Sequence, residues 1–158
     1  MTAQGASIDP EGSVPGTAPG EYARGDRGEL APGIERTSEF EVADRLLTDV
    51  GGTIGVRVLS TPGMIAMIER NAAILSYEHL PDGKATVGFE VCVKHVAAAA
   101  EGAKCIAHAR LREVIDGRKL RFDVEVKEGD RTIGVGTHER RVIDVGAVKS
   151  RPPANTEY

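Results

Sequence analysis

Between Thr61 and Gly83 the chain reads TPGMIAMIERNAAILSYEHLPDG, a helical stretch with almost no polar face. Met64, Ile65, Met67, Ile68, Ile74 and Leu75 spread nearly around the circumference, with alanines at 66, 72 and 73 between them. A helix that is apolar on most sides is a buried helix, so the rest of the chain must surround it. Thr61 reads as the N-cap and Pro62 as N1, where a missing N–H costs nothing. Pro81 and Gly83 mark the stop.

The wrapping follows directly. KATVGFEVCVKH, AKCIAHARLREVI, RKLRFDVEVK and RTIGVGTHERRVIDV are strand-like in composition and alternation. Asp116-Gly117 joins the second to the third as a tight hairpin. The third alternates cleanly, with Leu120, Phe122, Val124 and Val126 on one face. Gly134 and Gly136 in the fourth predict a bulge or a close backbone approach. IERTSEFEV, before the helix, is a weaker first strand. LLTDVGGTIGVRVL carries Gly51, Gly52 and Gly55 and predicts a mobile loop around a short extended piece. Strand, loop, buried helix and a run of antiparallel strands make an α+β layout in which a sheet wraps one helix.

The segment 1–33 holds seven Gly and four Pro and almost no large apolar side chains, so it is expected to be a flexible tail. The folded domain is expected over 34–146, with a second flexible tail over 147–158. The net charge of −4, three Phe, three Tyr and no Trp argue against a nucleic-acid platform. No apolar run approaches the ~20 residues that span a bilayer. MTAQGASIDPEG has neither a basic n-region nor an apolar h-region, so no signal peptide is expected. Cys92 and Cys105 both lie in apolar strand segments and read as small buried hydrophobes in a reducing compartment. A soluble, cytoplasmic protein with no membrane or nucleic-acid partner is the expectation.

Two residues break the pattern. Ala85, Val87, Phe89, Val91 and Val93 alternate along the first strand after the helix, and the next residue in that register is His95. A lone histidine on such a face is more often a hydrogen-bonded core residue, yet partial burial also tunes it for acid–base work. Glu69 is the second. Its helical neighbours at i±3 and i±4 are Ile65, Ala66, Ala72 and Ala73, so no cation stands beside it. A buried, unpaired carboxylate is expensive, so either its pKa rises or a partner comes close. Thr61 has a sufficient structural reason as a cap, although free N–H groups at a helix start also suit an oxyanion. His138 and Glu139 lack metal-site spacing and read as a strand-end polar cluster. Lys94, Arg140 and Arg141 read as scattered, solvated basic residues, and His79 as a cation at a helix C-terminus.

Taken together, the stretches GMIAMIERNA, TVGFEVCVKHVAAA and IGVGTHERRVI resemble the hotdog-fold acyl-CoA thioesterases, in the branch of the fluoroacetyl-CoA thioesterase, over Ile34 to Val145. That family places a threonine at the helix start, a glutamate eight residues on and a histidine 26 beyond, with a glycine seven before the histidine. Thr61, Glu69, His95 and Gly88 stand at those separations. The resemblance implies a five-stranded antiparallel sheet around one long helix, in a homodimer or larger assembly with the site at the subunit interface. It implies hydrolysis of a small or medium acyl-CoA thioester, with no cofactor and no metal. Catalysis would fall to Thr61, Glu69 and His95, with Gly88 binding substrate.

Two departures stand out. The fluoroacetyl-specific enzyme has two phenylalanines in the lid segment where this chain has Gly52 and Gly55, so fluoroacetyl selectivity is not implied. Pro62 after the threonine also differs. A hotdog protein that binds acyl-CoA without turnover is the alternative. A hydratase reading is weakened because no Asp-x4-His occurs.

Overall fold

The computed structural model describes residues 28–153, and in it the wrapping consists of five antiparallel strands. They are β1 (Glu35–Glu41), β4 (Lys84–His95), β5 (Lys104–Ile115), β6 (Lys119–Glu128) and β7 (Arg131–Asp144), in the order β1-β5-β6-β7-β4. The single long helix, α1 (Thr61–His79), packs across them. This is the α+β hotdog arrangement. The Gly-rich stretch forms a small hairpin, β2 (Leu47–Thr48) with β3 (Val58–Leu59), after a 3-10 turn at Asp44–Leu46. A five-residue helix, α2 (Val145–Lys149), begins where Asp144 accepts from Gly146 N and Ala147 N. Residues 1–27 of the first expected tail and 154–158 of the second lie outside the described residues, and α2 reaches three residues into the second. No described helix is long and apolar enough to cross a membrane.

Alternation decides which side chains meet the helix. Leu120, Phe122, Val124 and Val126 of β6 are all buried, as are Cys105, Ala107, Ala109 and Leu111 of β5. They close on Met64, Ile68, Ala72 and Leu75 of α1. Cys105 fits the expectation of a buried thiol, and burial pushes its pKa up. Asp116 and Gly117 both adopt positive φ, 53° and 62°, as the Asp-Gly turn signal requires. Gly136 answers the close backbone approach: a Cβ there would overlap Cys92 O of β4, while one at Gly134 would meet the Met64 thioether of α1.

β4 departs from the expected single apolar face. Its register with β7 shifts between Gly88 and Glu90, so Phe89 is an extra residue, a β-bulge. The bulge swaps the faces. Gly88, Val91, Val93 and His95 lie opposite Arg140, His138, Gly136 and Gly134, on the side that faces the helix, whereas Val87 lies opposite Arg141. Val87 and Phe89 are consequently 45% and 62% exposed. Cys92, on the outer side, is exposed rather than buried, contrary to the expectation for that thiol. β4 is also a sheet edge, and among the described residues no strand pairs with its outer rim.

The helix is fixed in register by a polar tie. Asn71, 1% exposed, accepts at Oδ1 from Ser38 Oγ at 2.7 Å. Its Nδ2 donates to Arg36 O at 2.9 Å and Ala107 O at 3.1 Å. Every polar atom of the amide is thereby satisfied, and β1 and β5 are locked to one turn of α1. Arg36 adds an ion pair to buried Glu78 at 2.8 Å. Replacing Asn71 with Leu strands those partners inside the core, so Asn71→Leu is expected to destabilise the fold by about 2–4 kcal/mol. Urea unfolding measures this, and an unchanged midpoint would show that the tie contributes nothing.

Candidate active site

Ser60, rather than Thr61, caps α1. Its Oγ accepts from Gly63 N at 2.9 Å, which makes Thr61 the first helical residue and places Pro62 one position further in than expected. The correction matters because it frees the Thr61 hydroxyl. That hydroxyl lies 2.9 Å from His95 Nδ1, at the end of β4. The other ring nitrogen, His95 Nε2, is buried and has no hydrogen-bond partner among the described residues. His95 is therefore a half-buried histidine on the helix side of the sheet, held at one nitrogen and uncommitted at the other.

Glu69 lies eight residues along the same helix, about 12 Å further down its axis. It is half-buried on a stripe of small residues with exposed Ala66 and half-buried Ala73. Among the described residues it makes no hydrogen bond or ion pair. Its carboxylate sits over Gly88: a Cβ on that glycine would overlap Glu69 Oε1. Arg140 Nη1 lies 3.7 Å from the same point. Gly88 is thus the gap through which a helix carboxylate and a strand guanidinium face one another.

Arg140 is the cation that the helical neighbours of Glu69 could not supply. Only 6% exposed, it is not among the solvated basic residues where the sequence placed it. Nε donates to Thr86 Oγ1 at 2.8 Å and Nη2 to Thr86 O at 3.0 Å. Burial pushes the guanidinium pKa down and the Glu69 charge holds it up. His138 is likewise not at a strand end. It sits within β7, 2% exposed, with its ring stacked on Phe122 at a centroid distance of 6.3 Å. Nδ1 donates to Glu90 O at 2.7 Å, which leaves Nε2 to accept from Arg140 Nη1 at 3.1 Å. Burial lowers the His138 pKa, the hydrogen bond to Glu90 O opposes this, Arg140 adds to the lowering and Glu69 opposes it. Arg141, the next basic residue, is half-buried on the outer side, where it lies 3.7 Å above the Phe89 ring.

The signal for this pair was present in the sequence. Gly134, Gly136, His138, Arg140 and Val142 alternate, and the two glycines mark the helix-facing side of β7. Thr61, Glu69, Gly88 and His95 therefore fall into two separate clusters within one chain. Thr61 and His95 make a bonded pair near the start of α1, while Glu69 and Gly88 meet two turns on, beside Arg140 and His138. The loop before Thr61, between β2 and β3, carries Val50, Ile54 and Val56 exposed, and Val50 holds a φ of 53°, strained for a β-branched residue.

Residues 42–146 match the family described as fluoroacetyl-CoA-specific thioesterase (FlK). The fluoroacetyl-CoA thioesterase of Streptantibioticus cattleyicolor is 34% identical over 101 residues, which cover 61% of this chain and 72% of that protein. The solved structure of the fluoroacetyl-CoA thioesterase FlK superposes with a TM-score of 0.68 at 27% identity, covering 80% of this chain and 100% of that one. A mutant of that enzyme in complex with fluoroacetate and CoA gives 0.68 at 28% identity, over 75% and 99% of the two chains. A thioesterase-superfamily protein of Thermus thermophilus, 23% identical, shares the fold at 0.68 over 77% and 89%. The sheet around one helix, the spacing of Thr61, Glu69, Gly88 and His95, and these likenesses agree: the chain belongs to the fluoroacetyl-CoA-specific thioesterase family of the hotdog fold.

Proposed function

We propose that the chain hydrolyses a small or medium acyl-CoA thioester, and that its site is assembled from two copies of the chain. The observation that carries the first part is the unbonded Glu69 carboxylate over Gly88, with a buried guanidinium beside it. A thioester needs a polarised carbonyl and a delivered nucleophile, while coenzyme A thiolate leaves without a strong acid. Glu69 delivers the attack, as general base toward water or directly as the nucleophile. The Gly88 N–H is the candidate donor for the oxyanion, because at the start of α1 Pro62 has no N–H and those of Gly63 and Met64 are bonded to Ser60. Thr61 orients His95, and the uncommitted Nε2 of His95 exchanges a proton with the site. Fluoroacetyl selectivity is not part of this reading, because Gly52 and Gly55 give the loop before Thr61 no aromatic contact.

Axial separation supports the second part. About 12 Å of helix separates Thr61 from Glu69, too far for one acyl group to touch both. β4 is an unpaired edge with Val87 and Phe89 exposed. Antiparallel pairing of two β4 strands centred near Cys92 sets His95 of one copy beside the Gly88–Phe89 bulge of the other. The Thr61–His95 pair of one chain then meets Glu69 of its partner, in a homodimer with two equal sites.

Mixing two inactive chains tests both parts. His95→Ala and Glu69→Gln are each expected to lower thiol release from acyl-CoA substrates by at least about 100-fold. Unfolded together and refolded, they are expected to recover about a quarter of wild-type turnover, since half the dimers are mixed and each of those holds one intact site. No recovery would place both residues in a site made by one chain. If no thioester of an acetyl- to decanoyl-CoA series is hydrolysed but one binds saturably, the chain is a ligand-binding hotdog protein instead.

Two further substitutions separate structure from chemistry at the helix start. Ser60→Ala is expected to cost about 1 kcal/mol in urea unfolding. Thr61→Ala is expected to lower kcat with a smaller change in stability. Gly88→Ala is expected to displace Glu69 and lower kcat by about 10- to 100-fold, while the midpoint of unfolding shifts little.

A further inference from the structure

We infer that His138 is a positioning residue of the site: it holds the Arg140 guanidinium toward Glu69 by accepting a hydrogen bond at Nε2. The inference rests on the proposed thioesterase reading for its effect on turnover, but its geometry stands apart from it. Arg140 is a long side chain with several rotatable bonds, and a buried guanidinium is specified only if its N–H groups are bonded. Nε and Nη2 are used on Thr86, which fixes the far side of the fork. The Arg140 nitrogen nearest Gly88 is Nη1, and its bonded partner there is His138 Nε2, at 3.1 Å.

Such a bond needs a neutral imidazole of one tautomer, because a charged ring has no acceptor. The structure provides it. Glu90 O takes the Nδ1 proton at 2.7 Å, and the bulge at Phe89 brings that carbonyl of β4 opposite the ring. Phe122 of β6 covers the ring, which is 2% exposed. The charged groups that face it are Arg140 from its own strand and Glu69 from α1. Burial and Arg140 both disfavour a proton on the ring, so it stays an acceptor above the ordinary histidine range. As pH falls through that range, the unfolded chain takes up a proton that the folded chain resists, so stability falls first and the Arg140 bond is lost only at the lower pH where the folded ring is protonated.

The role assigned differs from that of a core histidine, which would pack and bond without acting on another side chain. His138→Phe keeps the ring against Phe122 and removes the acceptor, whereas His138→Gln restores an amide oxygen near the Nε2 position. Thermal unfolding of each variant checks that it folds. His138→Phe is expected to lower kcat by about 10- to 100-fold, the range for a site group moved by about 1 Å. His138→Gln is expected to recover most of that loss. In an Arg140→Ala background His138→Phe is expected to cost less than about twofold more, because its effect passes through the missing guanidinium. Losses that multiply, or a folded His138→Gln no better than His138→Phe, overturn the proposal.

A second readout does not need activity. The Arg140 side-chain N–H resonances are expected to be slow to exchange in the unaltered chain, to broaden in His138→Phe and to sharpen again in His138→Gln. This holds even if no thioester is hydrolysed, so failure of the thioesterase reading is distinguishable. Resonances unchanged in His138→Phe overturn the positioning role on their own.

Discussion

A carboxylate on the helix that fills the core is the constraint around which the site is built. Glu69 sits on α1 where neighbours one turn away are aliphatic, and a negative charge there must either reach water or meet a cation. The fold leaves space on the strand opposite, at Gly88, and brings the cation from the next strand in, Arg140 of β7. Each concession has its own support. The guanidinium is bonded to Thr86 and His138, and His138 is bonded to the β4 backbone at Glu90. A charged centre is thereby introduced beside an apolar core without an unbonded guanidinium inside it.

The same sheet does two jobs with one alternation. Residues of β5 and β6 that face inward are aliphatic, small or, at Phe122, aromatic, and carry the stability of the fold. The inward residues of β7 change character along the strand, from Gly134 and Gly136 under the helix to His138 and Arg140 beside Glu69. Binding energy for the core and polar chemistry for the site thus lie on one surface, separated by only one or two strand repeats.

Much of this was legible in the sequence because it follows from periodicity. The buried helix, the Asp116-Gly117 hairpin and the clean alternation of Leu120 to Val126 are local patterns, and the structure contains each of them. What periodicity could not show was the phase. One inserted residue at Phe89 reverses the face of everything after it, so His95 and Val87 lie on opposite sides although their numbers share a parity. At the helix start two hydroxyl residues stand side by side, and sequence preference alone does not decide between Ser60 and Thr61 as cap. Arg140 was hidden for a different reason: an arginine between Glu139 and Arg141 has the composition of a solvated strand end. Only its alternation with Gly134 and Gly136 marks it as inward-facing.

The two rims of the sheet are unlike, and this limits how the chain can polymerise. β1, at one rim, alternates Glu35, Glu39 and Glu41 on its exposed side, and a strand so charged resists being continued by another. β4, at the other, is bulged and presents Val87 and Phe89. Growth of one rim onto the other of a new molecule, the head-to-tail geometry that gives filaments, would set an apolar, kinked strand against an acidic one. Only like-to-like pairing at β4 matches in chemistry and in the position of its kink. In the proposed homodimer such pairing would use up the β4 rim of both copies in a single encounter, leaving the joined sheet with an acidic β1 at each end.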